Sequence, residues 1–263
     1  MNRIDQTFKS LQTAGRAALI PFIVAGDPDL SVTEVLIHKM AASGADIIEL
    51  GVPFSDPLAD GPIIQSAYQR ALQKGTNLKG IFQMVEKLKG NSPPLVLMTY
   101  FNPVLHYGLR SFAEDCRQGG IAGVIIPDLP PEEARPWIKE ARKNGVATIF
   151  LLAPTSSEER IRLVDKVTRG FIYYVSRTGV TGVQTMLAEE LEGVVLRIKG
   201  HSPKPVAVGF GISTAEQAKE ISRFADGIIV GSAIVKIMED EPVTDRLVER
   251  VGTFISALSH VLK

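Results

Sequence analysis

Short apolar runs of strand length recur along the chain, each followed by a turn rich in Gly, Pro or Asp and then by apolar residues at helical spacing. The runs are Leu19–Ala25, Asp46–Leu50, Leu95–Thr99, Gly123–Ile126, Ala147–Leu152, Phe171–Val175, Pro205–Val208 and Gly227–Val230. They are nearly continuous in Val, Ile and Leu, as strands buried on both faces are, and so predict a parallel sheet. Between them the spacing predicts helices over Val32–Ser43, Leu78–Lys89, Pro131–Asn144, Ser157–Thr168 and Thr214–Arg223. Eight strand-helix units in 263 residues match the size of a closed (β/α)8 barrel. A doubly wound sheet would carry G-x-G-x-x-G after the first strand, where the chain instead reads Ala25-Gly26-Asp27-Pro28-Asp29. The expectation is an α/β fold: one TIM barrel domain over 1–263. It has an extra N-terminal helix at Asp5–Thr13 capping the bottom, a short extra helix at Ile63–Gln73 and a closing helix at Val243–Val261.

Composition narrows the function classes. Lys+Arg and Asp+Glu number 29 each, so no net field draws the chain to nucleic acid or an anionic membrane, and a charged ligand must be met locally. Cys116 is the only cysteine, which rules out an internal disulfide or a multi-thiolate metal site and suits a reducing compartment. The apolar stretch Ala17–Gly26 is about half the roughly 20 residues that span a bilayer and contains Pro21; Met1–Arg16 has no apolar signal-peptide core. A cytoplasmic location is expected.

In a barrel of this kind the reactive groups sit beyond the C-terminal ends of the strands. Glu49 interrupts the apolar string Ile47-Ile48-Glu49-Leu50 and points the same way as Ile47. If that way is inward, burial raises its pKa towards neutrality and makes it a proton donor; otherwise it is a strand-end acid paired with a lysine or capping a loop. Asp60, in the long loop Gly51–Pro62, is a second candidate, although Asp-Gly-Pro is also a common turn. Asp27, Asp56 and Asp128 each sit beside Pro and read first as turn or capping residues. Tyr173 and Tyr174 alternate, so only one faces inward.

Gly179-Val180-Thr181-Gly182, Gly209-Phe210-Gly211-Ile212-Ser213 and Gly231-Ser232-Ala233 place glycines beside helix starts after the sixth, seventh and eighth strands. Glycine lets backbone N–H groups approach an anion, so the three together predict a phosphate site. His38, His106, His201 and His260 are scattered without metal-ligand spacing, and no lysine stands at a strand end, so neither a metal site nor Schiff-base chemistry is expected. Acid-base catalysis remains.

The string Ile48–Pro62 resembles the signature of the tryptophan synthase alpha subunit family. The resemblance extends through Pro21–Pro28, Tyr100–Pro103, Pro127–Pro130, Ser176–Gly182 and Gly209–Ser213, with one departure at Ile63, where threonine or valine is the expected residue. It implies cleavage of indole-3-glycerol phosphate to indole and glyceraldehyde 3-phosphate. It implies roles as well: Glu49 moves protons, Asp60 accepts the indole N–H, and Tyr173 is the active-site tyrosine. Phe22 lines the indole pocket, the phosphate lies on Gly182, Gly211, Gly231 and Ser232, and Thr181 meets Asp60 on closure. A beta subunit carrying pyridoxal phosphate is the implied partner in an alpha2-beta2 complex, with no cofactor held by this chain. Pro53, Phe54, Asp56, Asn102 and Asp128 form the expected docking face, unless those loops only cover the site. A stand-alone lyase and a weakly catalytic subunit that mainly activates a beta subunit are the competing readings.

Overall fold

A computed structural model describes residues 2–175, 184–209, 211–241 and 243–262. Its strands are β1 (Ala18–Val24), β2 (Ile48–Gly51), β3 (Leu95–Met98), β4 (Ile121–Ile125), β5 (Ala147–Ile149), β6 (Leu151–Leu152), β7 (Ile172–Val175), β8 (Val206–Gly209) and β9 (Gly227–Val230). All pair in parallel, in the order β5-β4-β3-β2-β1-β9-β8-β7-β6. The expected run Ala147–Leu152 is thus two segments. The chain changes neighbours at Phe150: β5 pairs with β4, β6 pairs with β7, and Tyr173 N–H donates to the Phe150 carbonyl at 3.1 Å. One interrupted strand therefore joins the two ends of the sheet and closes the barrel.

The helices are α1 (Arg3–Thr13), α2 (Leu30–Ala42), α3 (Pro62–Gln73), α4 (Leu78–Lys87), α5 (Phe101–Tyr107), α6 (Leu109–Gly119), α7 (Arg135–Lys143), α8 (Glu158–Val167), α9 (Gln184–His201), α10 (Ala215–Ile221), α11 (Ser232–Asp240) and α12 (Thr244–Val261). Helix α1 begins earlier than its apolar spacing predicts because Asn2 caps it. The Asn2 side chain accepts from Ile4 N–H, Asp5 reaches back to the Asn2 N–H, and Asn2 Nδ2 donates to the carbonyls of Ala122 (2.7 Å) and Gly145 (2.8 Å). A capping residue contributes about 1 kcal/mol, and here it also ties the helix to the barrel floor. Ile4, Phe8 and Leu11 of α1 fill the lower barrel with Ile20, Ile47 and Phe171.

The segment after β3, expected as a loop, is helix α5. Tyr100 is its N-cap, Asn102 and Pro103 lie in its first turn, and the Asp128 carboxylate accepts the Phe101 N–H at 2.9 Å. Pro is tolerated there because first-turn N–H groups have no intrahelical acceptor. Above β1 the extra helix α3 turns Ala67, Tyr68 and Ala71 towards Phe22 and Val24, roofing part of the barrel top.

Candidate active site

Glu49 stands opposite Phe22 of β1 and Val96 of β3, and its inward-facing neighbour Ile47 belongs to the barrel's interior cluster. The side chain is fully buried and neither carboxylate oxygen has a hydrogen-bond partner. The alternative of a strand-end acid paired with a lysine is thereby excluded. Burial, reinforced by the negative charge of Asp60, pushes the Glu49 pKa up to about 8, so the carboxyl is mostly protonated at neutral pH.

Asp60 is placed by its loop. Its N–H donates to the Pro57 carbonyl (3.0 Å), and Gln65 Nε2 on α3 donates to the Asp60 carbonyl (2.8 Å). Tyr100 Oη donates to Asp60 Oδ2 at 2.5 Å and accepts the Ala59 N–H at 3.0 Å, so one phenol holds both the loop and its carboxylate. Burial raises the Asp60 pKa, and the Tyr100 hydrogen bond offsets part of that rise. Tyr100 was not singled out from the sequence; its ring stacks on Phe54 and its hydroxyl reaches Asp60, contacts that only the fold creates.

The two carboxyl groups line a cavity of about 780 Å³ at the C-terminal mouth of the barrel. Phe22, Ile63, Ile64, Met98, Leu129 and Tyr173 give it apolar walls. Tyr173 faces inward, while Tyr174 packs among the helices. Gly209 is required beside it: a Cβ there would fall 2.8 Å from the Tyr173 hydroxyl. Ile63, the one departure from the family pattern, is a wall residue.

Gly211, Gly231 and Ser232 line the same cavity. The two helix starts beside them differ. Helix α10 is closed by its own capping box, with Thr214 accepting from Gln217 N–H and Gln217 Oε1 accepting from the N–H groups of Ser213 (2.9 Å) and Thr214 (3.3 Å). Helix α11 begins at Gly231 with no side-chain cap, which leaves its first N–H groups for a ligand. The cations at the rim are paired, Arg160 with Glu132 (2.8 Å) and Lys236 with Glu239 (2.9 Å). Thr181 and Gly182 lie outside the described residues. Among the described residues, no three His, Cys, Asp or Glu side chains gather as a metal site would require.

Asp27 forms a two-pronged ion pair with Arg70 of α3 (2.8 and 2.9 Å), and helix α2 is capped by Asp29 instead. On the expected docking face Pro53 is buried and Phe54 half-buried, because the loop folds its apolar residues onto Tyr100. Asp56 and Asn102 are exposed. Asp128 is exposed as well, but its carboxylate is engaged in capping α5. On these two segments the exposed apolar groups are Leu58, 90% exposed, and Leu105, 56% exposed; Val35, Leu72, Leu196 and Val243 are exposed on other elements.

Residues 8–260 match the family model for the tryptophan synthase alpha chain. The chain belongs to this family. It is 50% identical over 263 residues to the tryptophan synthase alpha chain of Geobacter sulfurreducens, covering 100% of this chain and 99% of that one. It is 46% identical to the alpha chain of Thermoanaerobacter pseudethanolicus over 100% of both. Among solved structures, tryptophan synthase subunit alpha from Legionella pneumophila superposes with a TM-score of 0.91 at 37% identity, covering 100% of this chain and 98% of that one. Tryptophan synthase from M. tuberculosis gives 0.90 at 35% identity over 100% of both. As a member of this family, the protein is a lyase of tryptophan biosynthesis that cleaves indole-3-glycerol phosphate.

Proposed function

We propose that Glu49 and Asp60 perform this cleavage by acid-base catalysis, with the observation of a fully buried, unpaired Glu49 inside the cavity carrying the assignment. Protonated Glu49 gives its proton to the indole ring carbon that bears the glycerol chain. The ring becomes an indolenine, an electron sink that a bare indole does not offer, and the Asp60 carboxylate stabilises the positive charge by accepting the ring N–H. The Glu49 carboxylate then takes the proton of the adjacent glycerol hydroxyl as the carbon–carbon bond breaks. The bonding pair returns to the ring, the alkoxide carbon becomes the aldehyde of glyceraldehyde 3-phosphate, and Glu49 is again protonated.

Phe22 and Tyr173 hold the indole, and the phosphate rests on Gly231 and Ser232 at the open start of α11 with Gly211 and Gly182 completing its site, while Thr181 meets Asp60 on closure. The whole chain, 1–263, acts as one catalytic unit. Its partner is a beta subunit that carries pyridoxal phosphate, in an alpha2-beta2 complex; Asp56, Leu58, Asn102 and Leu105 supply the docking face, and this chain supplies no group to the cofactor. The exposure of Leu58 supports a docking partner over a stand-alone lyase.

The test is turnover of indole-3-glycerol phosphate by the purified chain. Glu49→Gln is expected to lower kcat by at least about a hundredfold with little change in KM, the range a positioned proton donor supplies. Near-normal turnover in that variant sinks the assignment.

A further inference from the structure

Among the described residues, the buried side-chain oxygens without a hydrogen-bond partner are the two of Glu49, the hydroxyl of Tyr68 and that of Thr168. Thr168 lies apart, at the end of α8. The other three belong to one place. Tyr68 reaches from α3 over the top of β1, and it and Phe22 belong to one cluster that closes over the bare face of Gly51. A Cβ at Gly51 would fall 2.7 Å from Phe22 Cζ and 3.0 Å from Tyr68 Cε1, the carbon next to the one bearing the hydroxyl.

Gly51 is two residues beyond Glu49 on β2, so its absent side chain would point the same way as the Glu49 carboxyl, roughly 7 Å further up the strand. Phe22 is also the β1 partner of Glu49. The glycine therefore admits the hydroxyl end of Tyr68 into the layer above the Glu49 carboxyl. The Tyr68 hydroxyl is a donor without an acceptor, the Glu49 carboxyl offers two acceptors without a donor once its proton has left, and both residues are fully buried. Unmatched buried groups are costly and call for an explanation. A phenylalanine would fill the space of Tyr68 without that cost, and polar atoms that weaken a fold are characteristically kept where chemistry needs them.

We propose that Tyr68 is a positioning residue for the lyase reaction: its hydroxyl donates, directly or through one bound water, to the Glu49 carboxylate once Glu49 has released its proton, and turns that carboxylate towards the glycerol hydroxyl. The inference rests on Glu49 as the proton-carrying group. A hydrogen bond to the charged form favours ionisation, so Tyr68 opposes the rise that burial imposes on Glu49. The titratable groups that act on Glu49 or feel its charge are Asp60 of the β2 loop, Tyr173 of β7 and Tyr68 itself; Lys236 of α11 lines the same cavity but is paired with Glu239 and Asp240. Asp60 also lies close to Tyr68, but it already receives the Tyr100 hydroxyl, whereas Glu49 receives nothing.

The experiment is Tyr68→Phe in the full chain, read three ways. Carbon NMR of protein labelled in its glutamates is expected to show the Glu49 midpoint about one unit higher in the variant than in the parent. The kcat is expected to fall about tenfold, the equivalent of one unit, with KM within about twofold. The thermal midpoint is expected to stay the same or rise, since a buried unpaired hydroxyl has been removed. An unmoved Glu49 titration overturns the proposal, whether kcat is unchanged or falls together with the thermal midpoint, and makes Tyr68 a packing residue. Full activity in Glu49→Gln instead overturns the role of Glu49 itself, independently of anything Tyr68 does.

Discussion

At the scale of single residues the site works by withholding partners. Glu49 carries a proton near neutral pH because the strand buries it in the barrel wall beside the negative charge of Asp60, and neither of its oxygens has a hydrogen-bond partner there. That environment has a measurable consequence for stability. The Glu49 pKa rises on folding from 4.5 to about 8, so between those values the native state holds a proton that the unfolded state has released. Stability from this source is fully present below pH 4.5, falls as pH rises, and is lost once pH passes 8, a difference on the order of a few kcal/mol. In Glu49→Gln the dependence disappears. Urea midpoints at pH 5 and pH 9 are expected to separate less in the variant than in the parent chain, with the variant the more stable at pH 9. The identity of Glu49 as an acid in an apolar strand was legible in the sequence. Its lack of any partner was not, because that depends on every side chain brought against it by other strands.

At the scale of elements, a helix start is a binding site only when nothing local occupies it. Glycine-flanked starts at α10 and α11 look alike in sequence, yet Thr214 and Gln217 close the first and nothing closes the second. The anion is therefore expected at α11, with Gly211 providing bare backbone on the other side. A Cβ at Gly211 meets no atom within 4 Å, so the cost of Gly211→Asp to the fold is the backbone strain of its positive φ of 27° and not a clash at Cβ. The carboxylate repels phosphate and covers the backbone N–H groups. Calorimetric titration with glyceraldehyde 3-phosphate is expected to show binding at least about tenfold weaker; unchanged affinity would move the phosphate elsewhere. Helix α5 makes the opposite point. Tyr100-Phe101-Asn102-Pro103 reads as a loop because Asn and Pro favour turns, and it is helical because Asp128, 27 positions away, supplies the acceptor for the Phe101 N–H.

For the whole molecule, the exposed leucines at the barrel mouth mark the side on which a partner is expected. Leu58 rides on the loop that carries Asp60, and Leu105 on the helix that Tyr100 caps, so one hydrogen bond from Tyr100 to Asp60 links the expected docking face to the proposed site. Charge at both positions, in Leu58→Glu with Leu105→Glu, is expected to weaken association with a beta subunit by at least about tenfold, since desolvating an unpaired charge in an interface core is costly. Turnover by the variant chain alone is expected to stay within about threefold of the parent. Analytical ultracentrifugation and the lyase assay with and without a beta subunit measure both; undiminished association would place the partner on another face.

The periodicity of the chain by itself determined the barrel, its floor helix and that Glu49 points the same way as Ile47, because strand alternation and strand-helix order are local properties of sequence; that this way is inward only the closed sheet decided. Where the sheet closes was decided only by tertiary structure: Phe150 marks a change of neighbours that no pattern within Ala147–Leu152 announces. The same holds for Tyr100 on Asp60, Tyr68 above Glu49 and the burial of Pro53. Each depends on a contact between segments far apart in the chain, and a hydrogen bond or its absence belongs to the pair of groups, so neither residue's position in the sequence can encode it alone.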